Sequence, residues 1–231
     1  MPQRPLTVEI FKDLQTPEVS IDEVLEGVGK TALLAEGLDI VRTGRKLRIS
    51  KPGAEVVLAD KINSWPDFTA DINIVTTARP IEISRKVNRT REMSSGTAVL
   101  GAAGVTGSLR NTMRVAIVRA GFRLQAAATA GHEIGHLLDV RPHQPARADD
   151  ADHCADTNCL MAPSVEAASM EATTNHRIAG FFLNDRAVQA QSPEYCDGCA
   201  ESLGRNAYFL TKAKNGEFVP DALLPHYGQL L

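Results

Sequence analysis

Residues 122–140, FRLQAAATAGHEIGHLLDV, constrain the fold more than any other stretch of this chain. Alanine and leucine dominate the run and favour helix strongly, so an α-helix is expected across it. On a helix, residues i and i+4 share a face, which lets His132 and His136 reach one ion while Glu133 stands beside them. Two imidazoles and a carboxylate so placed suit zinc: the imidazoles ligate, and the carboxylate takes a proton from an attacking water and passes it to a leaving amine. Two histidines leave such a site incomplete. A third donor has to come from downstream.

The segments before this helix read as a mixed sheet. LTVEIF (6–11) alternates like a strand, and SIDEVLEGVGKTALLAEGL (20–38) opens on Ser20 with Glu23 three residues on, a capping-box pattern that predicts a helix. DIVRTG (39–44), KLRIS (46–50), AEVVLA (54–59) and ADINIVTTARPIEIS (70–84) are further extended candidates, punctuated by Pro52-Gly53 and Pro66. GTAVLGAAGVTGSL (96–109) is glycine-rich and reads as an edge strand with its turn. NTMRVAIVRAG (111–121) is the last strong strand. Beyond residue 140 the composition turns polar, and 141–164, with three prolines, is expected to be a loop. A helix capped by Ser164 is expected over 164–190, and a helical tail over 194–214.

All four cysteines fall into two close pairs, Cys154 and Cys159 as CxxxxC and Cys196 and Cys199 as CxxC. Two chelating pairs with none left over point to a tetrathiolate zinc site. A redox reading of Cys196 and Cys199 is disfavoured, because the pair follows a predicted helix rather than opening one after a strand.

Composition narrows the function classes. With 231 residues, 43% hydrophobic and 23% charged, the chain can bury a sizeable core. No long linker interrupts it, so residues 1–231 are expected to form one domain, with the sheet and the histidine-bearing helix in 1–140 and a smaller part in 141–231. A net charge of -3 with no dominant basic stripe argues against nucleic acid as a partner, and Arg85, Lys86, Arg89 and Arg91 read as a solvated loop face. MPQRPLTVEIFKDLQTPE has no apolar core of a secretory signal, and no run is apolar enough to span a membrane. A cytoplasmic monomer with reduced cysteines is the expectation.

The blocks HEIGH (132–136), HCADTNCLM (153–161) and CDGC (196–199), in this order, resemble the archaemetzincins, zinc peptidases of the metzincin clan. The signature of that family couples HExxHxxGxxH directly to C-x4-C-x-M and a later CxxC. TTARPI (76–81) and the strand and helix before the pentad are also similar to its N-terminal part. The resemblance implies an α+β, metzincin-like fold: a twisted mixed sheet with a backing helix and an active-site helix, followed by a small zinc-stabilised C-terminal subdomain. It also implies hydrolysis of peptide bonds in a peptide or protein substrate, with His132, His136 and a third histidine on the catalytic zinc and Glu133 as general base. Cys154, Cys159, Cys196 and Cys199 would hold a second zinc, making two per chain, and Met161 would be the Met-turn methionine under the catalytic metal. The edge strand around 96–104 would align substrate by backbone pairing.

The departures from that signature bear on the third ligand. The family's glycine three residues after the second histidine is Asp139 here, so the turn at the helix end is expected to be made differently. The family's third histidine position holds Pro142. His143 falls one residue late, while His153, seventeen residues after His136, keeps the junction with the first cysteine pair. His153 is favoured: inserted loop residues cost little closure entropy, whereas a ligand adjoining a metal-bound cysteine is rigidly placed. On that reading 139–152 is an insertion and its ADDAD run a solvated loop; His143 stays the alternative. A gluzincin arrangement would take Glu166 or Glu171 from the next helix instead. A non-catalytic, zinc-stabilised binding protein is the other alternative, although such a protein has no need of Glu133 beside its histidines. Tyr195, Tyr208 and Tyr227 are equal candidates for a donor to a developing oxyanion, and His176 reads as an ordinary surface or core histidine.

Overall fold

The computed structural model describes residues 4–14, 22–35, 38–47, 49, 54, 57–58, 68–83, 97–99, 101–108, 111–119, 123–147, 150–156, 158–162 and 194–224. A five-stranded sheet runs in the order β2 (Leu38–Leu47), β1 (Leu6–Asp13), β4 (Ile72–Thr77), β8 (Asn111–Arg119), β7 (Gly101–Ser108). The first four strands are parallel, and β7 returns antiparallel to β8 as a hairpin edge. Central β4, INIVTT, is buried at every residue, as a strand covered on both faces must be.

Alternation along the strands assigns the two faces. Leu6, Val8 and Ile10 of β1, Ile72 and Ile74 of β4, and Ala116 and Val118 of β8 pack with helices α1 (Asp22–Leu34), α2 (Arg123–Leu137) and α3 (Asp197–Lys214). Phe11, Val75, Val115 and Ile117 face the other way, in one apolar cluster with Val57 and Ile81. These two belong to a small sheet ordered β3 (Val57–Leu58), β5 (Ile81–Ile83), β6 (Thr97–Val99). Each large aliphatic side chain so buried contributes about 1.5–3 kcal/mol. The helical layer is where the candidate site lies.

Several segments differ from their expected form for local reasons. DIVRTG and the first two residues of KLRIS, Lys46 and Leu47, are one strand, β2, whose register against β1 slips twice; Gly44, with φ of 73°, lies at the second slip. ADINIVTTARPIEIS breaks at 78–80, where Pro80 offers no N–H and Arg79 turns inward onto the buried Asp13 carboxylate. GTAVLGAAGVTGSL likewise divides, β6 joining the small sheet and β7 the large one. Residues 141–164 are not all loop. Pro145–Arg147 (β9) and Asp150–Cys154 (β10) pair antiparallel as a hairpin, so Asp150, Ala151 and Asp152 of the ADDAD run lie on a strand.

α3 buries Cys199, Leu203, Asn206, Ala207 and Leu210, the stripe expected of an amphipathic helix. Its far end is tied to the start of the chain: Lys214 Nζ donates to Asp71 Oδ2 at 2.6 Å and to Pro5 O at 2.8 Å, and Asn215 exchanges two hydrogen bonds with the Arg4 backbone. The expected helix at 164–190, with Glu166, Glu171 and His176, lies outside the described residues, as do Ser20, the 85–91 basic cluster and Tyr227. Among the described residues, no helix is long and apolar enough to cross a membrane.

Candidate metal centres

α2 stops abruptly after the pentad. Val140 N–H reaches back to Gly135 O at 2.9 Å and Asp139 N–H to His136 O at 3.0 Å, a Schellman closure with Asp139 at the turning residue. Asp139 takes φ of 52°, so the turn is made in the left-handed conformation and not by a different route. That conformation costs a non-glycine residue about 1–2 kcal/mol, and aspartate tolerates it better than most. Arg141, two residues on, and Asn206 of α3 hold it: Arg141 Nη2 lies 2.6 Å from Asp139 Oδ1, and Asn206 Nδ2 donates to the Leu138 and Asp139 carbonyls at 2.9 and 2.7 Å. Arg114 Nε donates to Leu137 O at 3.1 Å, so the exposed end of the helix ladder is satisfied.

Arg141 also pairs with Asp152 on β10, pinning the hairpin to the end of α2. This brings the next residue, His153, beside the helix. One ring nitrogen from each of His132, His136 and His153 lies within 4.8 Å of the others. The His132 and His136 Nε2 atoms are 2.9 Å apart, a few tenths of an ångström under the ~3.3 Å edge of a tetrahedron built on Zn–N bonds. The His153 ring stacks on His132 at 5.3 Å and 18° and stands edge-on to His136 at 5.1 Å and 86°. His143 lies outside this trio, exposed, with its Cβ against Gly198 at the start of α3.

The protonation states favour ligation. His132 Nδ1 lies 2.7 Å from Leu160 O; a carbonyl only accepts, so Nδ1 carries the hydrogen and Nε2 keeps its lone pair. His136 is held well below the ordinary imidazole pKa, by burial first and then by His132, His153 and Arg141, so it is neutral at physiological pH. Glu133 is only 1% exposed. Met161 is fully buried under the same turn: a Cβ on Gly135 would overlap Met161 Sδ and lie 3.2 Å from its Cε and 3.4 Å from Tyr195 Cε1. Glycine inside HEIGH is therefore a packing requirement of Met161. Tyr195 spends its hydroxyl on Gly131 O behind the helix, and Tyr208 stands half-exposed on α3 with Lys212 Nζ 5.0 Å above its ring.

The second centre gathers the thiols of Cys154, Cys159, Cys196 and Cys199, all within 4.8 Å of one another and none in a disulfide. Cys154 and Cys196 Sγ are 3.8 Å apart, the edge length of a tetrahedron with Zn–S bonds of about 2.3 Å. Cys159 Sγ accepts the backbone N–H groups of Met161 and Cys196, both at 3.4 Å. Together with the Cys199 thiol, the largest influence, they draw the Cys159 pKa down to about 5. Burial pushes Cys154 up to about 11, and the hydrogen bond with Cys159, then burial, pushes Cys199 upward. One thiolate is sustained by the Cys199 thiol first and by the backbone N–H groups beside it. Four ionise together only around a cation, so the donor set fits zinc.

The two centres share one short segment. His153 and Cys154 are neighbours, while Cys159, the Leu160 carbonyl and Met161 follow within eight residues of His153. Cys154 N–H to Met161 O at 2.8 Å and Leu160 N–H to Glu194 O at 2.8 Å brace this segment internally and against Glu194, two residues before Cys196.

No protein-family model and no curated protein matches this chain. Among solved structures, the archaemetzincin of Methanopyrus kandleri is similar over 88% of this chain and 96% of its own, at 16% identity and a TM-score of 0.52. The archaemetzincin of Archaeoglobus fulgidus, solved with malonate, is matched over 85% and 99% at 14% identity, with a TM-score of 0.46. The fold is thus archaemetzincin-like and divergent in sequence.

Proposed function

We propose that this chain, built on an archaemetzincin-like fold, is a zinc-dependent peptidase, with His132, His136 and His153 as the catalytic metal ligands and Glu133 as general base. The observation that carries this reading is the convergence of three imidazoles from a helix and a hairpin beside a buried carboxylate. A zinc ion held there acts as a Lewis acid, polarising the scissile carbonyl and acidifying water. Glu133 accepts the proton that the attacking water sheds and returns it to the leaving amine. The Leu160 carbonyl fixes the His132 tautomer, and Met161 packs beneath the turn that separates the two helix histidines. β7 runs beside α2 with β8 on one side and no described strand on the other, which suits an extended peptide adding to that edge. His153 at the third corner supports three histidines over an arrangement that uses Glu166 or Glu171.

The thiolate centre is proposed as a structural second zinc, giving two ions per chain. Metal analysis of purified protein should return two zinc ions, the thiolate-held one surviving mild chelation longer because its site is closed. The same preparation should cleave members of a diverse peptide library and lose that activity as the first ion is stripped. A content near one, or full loading without cleavage of any peptide, would remove a centre or the catalytic reading respectively. Cys196→Ser should lower both the metal content and the melting temperature, because a structural zinc contributes folding energy directly. A variant that melts like the parent would rule out the structural zinc.

A further inference from the structure

We infer that Gly101 is a positioning residue for the general base: its missing side chain makes the space in which the Glu133 carboxylate is held. This rests on the peptidase reading above. A Cβ built on Gly101 would overlap Glu133 Oε1 and lie 2.8 Å from its Cδ and 2.7 Å from Thr129 Cγ2. Backbone conformation is not what requires glycine here, because among the described glycines only Gly44 and Gly216 have positive φ. Space is what requires it. Thr129 sits one helical turn before Glu133, buried, so its methyl and the Gly101 backbone form two walls around the carboxylate.

Neither wall can retreat easily. Gly101 is locked by the β7–β8 ladder, which pairs it with Val118 and continues to Ser108 opposite Asn111. α2 is fixed at its end by Asn206, Arg114 and the Asp139 closure. The softest element facing an added methyl is the carboxylate end of Glu133, which can rotate about its own side-chain bonds. A methyl at 101 therefore shifts the general base and leaves the three imidazoles in place.

Gly101→Ala is the test, read against the parent and against Glu133→Ala. The variant should keep full zinc content and a KM within about twofold, while kcat falls about 10- to 100-fold, since a misplacement near 1 Å can cost 10²-fold. A melting cycle gives a readout independent of activity: Gly101→Ala should lower the melting temperature by about 2–4 °C in the parent and by less in the Glu133→Ala background. An unchanged kcat, zinc loss in proportion to activity, or equal melting shifts in both backgrounds would overturn the assignment. If neither parent nor variant cleaves peptides, the peptidase reading falls, and the melting cycle still decides whether Gly101 walls the carboxylate.

Discussion

Glu133→Ala is expected to lower peptide cleavage by about two to four orders of magnitude while leaving zinc bound and the fold intact, the range for losing a positioned general base. His132 is oriented by the Leu160 carbonyl, and His153 is delivered by the hairpin that Arg141 pins, so the ligands are held by groups that remain in the variant. Metal content measured beside activity should thus separate the two. Because proton transfer belongs to the transition state, kcat and kcat/KM should fall together with KM little changed. Unchanged cleavage would end the proposed mechanism. Zinc-loaded parent protein that cleaves nothing would point instead to a binding protein.

The parts of this architecture written locally were open to reading from the sequence. Alanine-rich composition and i, i+4 histidines place α2, period-two patterning places β1, and the cysteine pairs mark the thiolate cluster. What escaped depends on partners far along the chain. Asp139 in place of glycine reads as a different turn, yet it adopts the same left-handed geometry because Asn206, nearly seventy residues on, holds the carbonyls at the turn. The hairpin at 145–154 is hidden under prolines and acidic residues, and Arg141 bridging Asp139 to Asp152 is a three-body contact that no spacing rule displays. Glycines mislead most. Gly135 and Gly101 stand in the sequence only as a glycine within HEIGH and one in a glycine-rich edge strand, but each faces an atom that a side chain would collide with, Met161 Sδ in one case and Glu133 Oε1 in the other. A sequence shows the absence of a side chain and conceals what fills the space.

His153→Ala is expected to abolish cleavage and take the zinc content from two to one, whereas His143→Ala should be nearly silent in both measurements. The two differ in what holds them. His153 stands on β10 between Asp152, which Arg141 clamps to the helix end, and Cys154, whose thiol belongs to the second centre, so its imidazole is anchored on both sides. A ligand so placed gives up little conformational freedom on binding metal, and its removal leaves two histidines that cannot close a catalytic site. His143 is exposed and packs on Gly198, and truncating it there removes only a surface contact. Metal analysis with the thiolate zinc as internal reference reads the outcome directly, since Cys154, Cys159, Cys196 and Cys199 remain in both variants. Zinc and activity lost on replacing His143 and kept on replacing His153 would mean that the hairpin does not deliver the ligand. Both retained, with Glu166→Ala or Glu171→Ala inactive, would move the third ligand to one of those glutamates and overturn the three-histidine centre.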